Sequence, residues 1–396
     1  MESFSEILSE IEEFKEELDK HYRFLHKNPG VGFDIEETYK YVKRKLTDYR
    51  CDVKSCGKMG LYTDIGIGSN DNVFLLRADM DALPIKEETG LEYASKNGYM
   101  HACGHDMHTT MLLGAAKYLK EHENKLKGKV RLMFQPAEEQ LAGAKDMIEA
   151  GILSGVTGAV MIHVLTGVDG IDSGKAIVAP AGVSAPAADY FTINVIGKGC
   201  HGSMPSLGID PINIAAHLII ALQEINAREL AIGEKAVITV GTLSAGNAPN
   251  AIPENAVIKG TMRTYDEMVR EFIKRRIIEI TECTAKSFKG EAKVIFGSGC
   301  PSLYNDKKIC LLAEDCIESL GCDSVDVAFG RSVAGGSEDF AYISRKVPSV
   351  MISLCAGNKK DGYEYPLHHS QVRFDTSVLS IGSAIYTGMA FCYFEQ

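Results

Sequence analysis

The chain has 396 residues, more than one average domain holds, and its 45% hydrophobic and 24% charged content is that of an ordinary globular protein. A formal charge of −11 disfavours nucleic acid and anionic membrane as partners, and no apolar run is long enough to span a bilayer. The first twenty residues are acidic and amphipathic rather than secretory, and the 11 cysteines are scattered without a CxxC pair, so the expected setting is a reducing cytoplasm with free thiols.

Apolar residues at helical spacing (Ile7, Ile11, Phe14, Leu18, Tyr22, Leu25) predict one amphipathic helix over residues 4–26, with a second helix over 35–46. Short apolar runs at 73–76, 130–134, 159–162 and 349–354 read as buried strands. Helical segments at 109–119, 143–150 and 378–392 separate or follow them. This alternation predicts an α/β fold, a mostly parallel sheet covered by helices on both faces. The middle of the chain changes character: a strand from Tyr190, a helix over 211–228, strands at 236–243 and 256–263, a helix over 266–287 and a strand at 292–296. That β-α-β-β-α-β order is the ferredoxin-like split pattern. Residues 187–298 are therefore expected to form a small α+β domain inserted into a larger one made of 1–186 and 299–396.

The chemistry concentrates at the ends of the predicted strands, where ligands bind in open α/β sheets. Asp79 and Asp81 follow the first strand, Glu138 and Glu139 the second, His163 ends the third, and His368 and His369 lie in the loop after the last. Cys103 and His105, two residues apart before a helix, add a thiolate and an imidazole, donors that suit zinc and related metals. One zinc takes about four donors, fewer than are present. Two ions about 3.5–4 Å apart, bridged by one ligand and a water, fit the count better. A thiolate, a carboxylate and a bridging hydroxide would leave such a pair with residual positive charge, which stabilises the oxyanion formed when an amide is hydrolysed. Neighbouring side chains diverge, so one of Glu138 and Glu139 can bind metal while the other takes a proton from water. The residues alone leave open which does which.

The runs RADMDALPI (77–85), HACGHD (101–106), FQPAEE (134–139) and LHHS (367–370) together resemble the aminoacylase/carboxypeptidase-type di-metal amidohydrolases, over nearly the whole chain. The nearest subgroup is that of the hippurate, N-acyl-amino-acid and indoleacetyl-amino-acid conjugate hydrolases. The resemblance implies that Cys103, His105, Glu139, His163 and His368 bind metal and that Glu138 is the general base. It implies that Asp81 orients a ligand and that the insertion is a lid and dimerisation domain, giving a homodimer, with a homotetramer as the alternative. By the same resemblance His201, in GCHGSMP (199–205), acts on the substrate carbonyl, from its own or a partner subunit, and Asn250 and Arg263 hold the substrate. Arg263 suits a free carboxylate because its planar fork bonds both oxygens. Cys200, Ser206 and the loop over 355–358 depart from the family pattern, which bears on acyl preference rather than on reaction type. The stretch GGSED (335–339) is read as a structural turn lining the site.

The expected function is metal-dependent hydrolysis of an N-acyl amino acid, with zinc first among the metals and manganese, cobalt or nickel as alternatives. A di- or aminopeptidase on the same metals is the alternative enzyme, although no acidic group on the insertion offers to hold a free ammonium. A non-catalytic binding protein with a vestigial metal site is the alternative from another class.

Overall fold

A computed structural model describes residues 4–67, 72–319 and 336–395. The chain opens with α1 (Phe4–Glu13), α2 (Lys15–Lys27) and α3 (Glu36–Asp48), then β1 (Lys54–Cys56), β2 (Gly60–Ile65) and β3 (Val73–Asp79). It continues through α4 (His105–Glu121), β4 (Lys129–Gln135), α5 (Gly143–Glu149), β5 (Val156–Leu165), β6 (Ala176–Val178) and β7 (Gly182–Ala185). The middle segment holds β8 (Ala187–Ile196), β9 (Cys200–His201), α6 (Pro211–Ala221), β10 (Ala236–Ala245), β11 (Ala251–Ile252), β12 (Asn255–Thr264), α7 (Glu267–Ser287) and β13 (Glu291–Cys300). The chain closes with β14 (Leu303–Asn305), α8 (Lys307–Ser319), α9 (Ala341–Ser344), β15 (Ser349–Cys355) and α10 (Leu379–Tyr393).

The described residues divide into two compact units. One runs to Ser184 and resumes at Tyr304 and again at Glu338; the other is Ala185–Leu303 with residues 336–337. The first contains a seven-stranded sheet of order β1-β2-β4-β3-β5-β15-β6. The four central strands run parallel, and antiparallel strands flank them at both ends. Every residue of β3 and of β15 is buried, as a parallel strand covered on both faces requires. Helices α4 and α10 pack on each other and on β3 and β5, while α5 and α9 pack together and reach β4 and β15. One core runs through this unit, from Ile7 and Leu18 through Phe74, Leu112 and Ile162 to Tyr386. The single N-terminal helix expected from periodicity is two helices, because the backbone leaves helical geometry at Phe14 (φ −113°, ψ 23°) while the apolar stripe carries on across the break.

The second unit carries a four-stranded antiparallel sheet of order β10-β12-β8-β13, the ferredoxin-like order. Its strands alternate between buried and exposed residues, as in β8 and β13, and α6 and α7 supply the cover for the buried face. Asp210 caps α6 by accepting from the Ile212 and Asn213 amides, with Pro211 in the first turn, and Asp266 caps α7 in the same way. The helix expected to reach residue 228 ends earlier and gives way to a wider turn over Ile225–Glu229. A short ribbon, β9 with β11, had no signal in the sequence. Among the described residues no helix is long and apolar enough to cross a membrane, and every cysteine is a free thiol.

Candidate metal centre

Each group gathered in the first unit owes its place to an element boundary. Asp79 is the last residue of β3. The strand β4 ends at Gln135, and Glu138 and Glu139 follow a turn in which Ala137 adopts a left-handed backbone (φ 54°). His163 lies within β5, which runs on to Leu165 instead of stopping at Ile162. His105 is the first residue of α4, and Gly104 before it has φ 84°. A β-carbon on Gly104 would stand 2.4 Å from Val164 Cγ2, so only glycine allows the turn that brings Cys103 and His105 to one point. His368 has φ 66°, and its amide donates to the carbonyl of Ala102 at 2.8 Å, which fastens the loop after β15 to that same turn. Two non-glycine residues in the left-handed region at one site, each at a cost of about 1–3 kcal/mol, mark a place where position outweighs backbone ease.

The thiol of Cys103 sits at the centre. Its Sγ lies 3.6 Å from His163 Nε2 and 3.3 Å from His368 Nε2. Glu139 Oε1 is 3.6 Å from His368 Nε2 and 3.9 Å from His105 Nε2, and Glu138 Oε2 is also 3.9 Å from His105 Nε2. Ligand atoms of Cys103, His105 and His163 form one compact trio, those of Cys103, Glu139 and His368 another, and those of His105, Glu138 and Glu139 a third. Cys103 is common to the first two. His105 Nε2 and Glu139 Oε1 are buried without a hydrogen-bond partner. Buried polar atoms of this kind carry a penalty of about 1–3 kcal/mol each unless something binds them, and soft sulfur, imidazole and carboxylate donors at such distances fit divalent metal ions.

Asp81 accepts from the amides of Glu138 (2.9 Å) and Glu139 (3.2 Å) and faces His105 Nδ1 at 3.5 Å, so one carboxylate orients the glutamate pair and a histidine together. His163 Nδ1 donates to Val164 O at 2.8 Å, which turns Nε2 toward the thiol. The electrostatics are those of crowded acids. Burial, then the charges of Glu338, Glu139 and Asp339, push the Glu138 carboxyl well above the usual range. Burial raises Glu139 to about 7 against the pull of His105, and burial with the Glu139 charge raises the Cys103 thiol. Two cations placed among these groups would reverse that balance.

Several residues of this region carry no metal-ligand signal in the sequence. Arg77 is fully buried and its guanidinium bonds Asp79 (2.7 Å), Glu338 (2.9 Å), Asp339 (2.9 Å) and Gln135 (3.0 Å). The Asp339 amide donates to Glu138 Oε1 at 3.4 Å, so the GGSED stretch reaches the site through its two acids; Gly335 lies outside the described residues. His108 bonds Asp79. The signals available for these were spacing alone: Arg77 shares a strand face with Asp79, and His108 stands one helical turn beyond His105. His369 is elsewhere, stacked on Tyr365 at 4.3 Å and accepting from the Gln371 amide.

The other three candidates belong to the second unit. His201 lies in β9, opposite Ala251, and the Gly202 amide donates to Asn250 O at 2.8 Å, so His201 and Asn250 are neighbours on one ribbon. His201 is exposed, and its Nδ1 meets Ser203 Oγ at 2.8 Å. The structure does not bring Arg263 to them: it sits at the far end of β12, bonded to Thr261 Oγ1 and the Met262 carbonyl and lying 5.4 Å over the Tyr190 ring.

A mostly parallel sheet whose strand ends gather a thiol, imidazoles and carboxylates around buried donor atoms is the frame of a divalent metal centre, and the family and relatives that the chain matches make it a metal-dependent amide hydrolase of the two-ion type. The chain belongs to peptidase family M20/M25/M40, which it matches over residues 75–391. It is 41% identical over 332 residues to N-acetyl-L-cysteine deacetylase of Bacillus subtilis (strain 168), covering 82% of this chain and 77% of that protein. It is 35% identical over 394 residues to hippurate hydrolase of Campylobacter jejuni, covering 98% of this chain and all of the other. The crystal structure of a dinuclear metal-binding peptidase of the M20 family from Bacillus subtilis superposes with a TM-score of 0.79 at 31% identity, covering 97% of this chain and 99% of that one.

Proposed function

We propose that this chain removes the acyl group from an N-acyl amino acid, and that Cys103, His105, Glu139, His163 and His368 hold its two ions, zinc first and manganese, cobalt or nickel as substitutes. The observation that carries the assignment is the convergence of His105, Glu139, His163 and His368 around the Cys103 thiol, with His105 Nε2 and Glu139 Oε1 buried and without a hydrogen-bond partner. Membership beside a deacetylase and a hippurate hydrolase supports the substrate class. Cys103, which belongs to two of the trios, would hold metal together with residues from both.

When bound, the ions polarise the amide carbonyl and make a water nucleophilic near neutral pH. Glu138 takes the proton of the attacking water at a carboxylate oxygen and delivers it to the leaving amine nitrogen. Asp81 keeps the glutamate pair in register for this. His201 and Asn250, adjacent on their ribbon, contact the substrate carbonyl and its polar groups; Arg263, apart from them, is assigned the amino acid carboxylate. The second unit serves as lid and dimerisation domain. Its sheet has open edges at β10 and β13, with Val237 and Leu243 exposed along β10, and unpaired edges of this kind invite pairing. The free thiols of the described residues support a reducing cytoplasm as its setting.

The test is turnover of acetyl-, benzoyl- and longer-acyl amino acids by the purified protein, with Zn²⁺, Mn²⁺, Co²⁺ or Ni²⁺ added and a chelator control. Release of free amino acid that chelator abolishes is the expected result. Cleavage of free dipeptides in preference to their N-acetyl forms would replace this reading with the peptidase one.

A further inference from the structure

Asp79, His105 and His108 form a buried trio of ligand-type atoms beside the proposed metal cradle, and the hydrogen bonds around His108 show what it does. The pairing of β3 with β5 ends at Arg77 and Met161. Beyond that point the amides of β5 that faced β3 have lost their strand partner, although they are buried. The Ile162 amide donates to the Tyr386 hydroxyl at 3.0 Å, and the Val164 amide donates to His108 Nε2 at 2.9 Å. Nε2 therefore carries a lone pair, and the ring proton is on Nδ1, which donates to Asp79 Oδ1 at 2.6 Å. Asp79 Oδ2 accepts from Arg77 at 2.7 Å. Both nitrogens of His108 are thus committed, so it is not available as a metal ligand, and each oxygen of Asp79 already accepts a hydrogen bond. They tie instead: the end of β3, the first turn of α4 and the backbone of β5 meet at one imidazole.

Two of the joined elements carry opposite halves of the cradle. His105 precedes His108 by one turn of α4, with ring centres 5.4 Å apart. His163 precedes Val164, whose carbonyl fixes the His163 ring, and the His108 and His163 rings are 4.7 Å apart. We propose that His108 is a positioning residue: by standing in for the missing strand partner of Val164 it sets the separation of His105 from His163, and with it the affinity for the ions. The inference rests on the ligand assignment under Proposed function.

Calorimetric titration of the metal-stripped protein with Zn²⁺ and with Mn²⁺ tests it, comparing wild type, His108→Phe, His108→Asn, His108→Gln and Met111→Ala. Phenylalanine keeps the ring volume and loses both nitrogens; at least one of the two ions should bind about 10–100-fold more weakly. Asparagine supplies a donor to Asp79 but no acceptor for Val164 and should behave like phenylalanine, which keeps the test alive if His108→Phe does not fold. Glutamine places an oxygen near the Nε2 position and should recover part of the loss. Met111→Ala opens a cavity on the same helix and should lower the unfolding temperature while leaving both affinities at wild-type values. Wild-type affinity for both ions in His108→Phe or His108→Asn would overturn the proposal, as would an equal loss in Met111→Ala. If the wild-type protein takes up two ions but Cys103→Ser and Glu139→Gln do so equally well, the ligand assignment itself falls and takes the proposal with it.

Discussion

Glu138 and Glu139 share a peptide bond, the Asp81 carboxylate that accepts from both amides and an approach of 3.9 Å to His105 Nε2, yet the rest of their surroundings differ. Glu138 faces Glu338 and Asp339, whereas Glu139 turns to Cys103 and His368. The sequence offered both as acid, base or ligand; only the fold gave them different neighbours. Replacing Glu138 with Gln keeps the shape and removes the base, so metal content measured by atomic emission should stay at two ions while kcat drops roughly 10²–10⁴-fold. Retained turnover would remove Glu138 from the reaction. Gly104 makes a second prediction at this scale. An alanine in its place would need a left-handed backbone and would strike Val164, so Gly104→Ala should destabilise by about 1–3 kcal/mol in urea unfolding and lower metal occupancy as well. The CGH spacing was legible as a ligand pair, but the reason a glycine separates the two was not, because it depends on a side chain some sixty positions away in sequence.

Periodicity located the major elements because the apolar stripe that makes a helix or strand bury one face is written locally. It failed where tertiary contact sets the boundary: α1 and α2 share one stripe but break at Phe14, and β5 outruns the apolar core that identified it. The docking of α2 on α4 was also invisible. His26 Nδ1 donates to Asp106 at 2.7 Å and Nε2 to Glu87 at 3.1 Å, with all three side chains buried. Burial opposes charge on this imidazole, but hydrogen bonds to Asp106 and Glu87 outweigh it and raise its pKa from 6.5 to about 9. His26→Ala would leave two buried carboxylates without a counter-charge, at a cost of about 3–5 kcal/mol. The sign of the pH dependence follows from the raised value. Below about 6.5 the imidazole is protonated folded and unfolded alike and the ion pairs contribute fully; as pH rises through about 9 the folded state loses the proton and the contribution fades. The stability gap between wild type and His26→Ala, measured by urea unfolding from pH 6 to 10, should therefore narrow with rising pH. A gap that widens would show that His26 is neutral in the folded protein.

For the whole molecule, ions that bind the folded state alone add stability by mass action, about 2.7 kcal/mol per site at a hundredfold excess over Kd. Chelation should lower Tm and restoring Zn²⁺ or Mn²⁺ should return it, with calorimetry as the readout; an unchanged Tm would argue against a metal held by the fold. If the second unit dimerises through its open edge, lysines at Val237 and Leu243 should shift the mass seen by light scattering from two chains to one. The sequence by itself determined the class of fold, the principal strands and helices of both units though not β1, β2, β6 or α8, and the stock of sulfur, imidazole and carboxylate groups, since these follow from local apolar pattern and residue chemistry. Tertiary structure alone decided which of those groups meet. Convergence depends on where strands stop pairing, on left-handed turns at Gly104, Ala137 and His368, and on partners such as Arg77, His108 and Asp339 that lie far apart along the chain, and no local pattern encodes such distances.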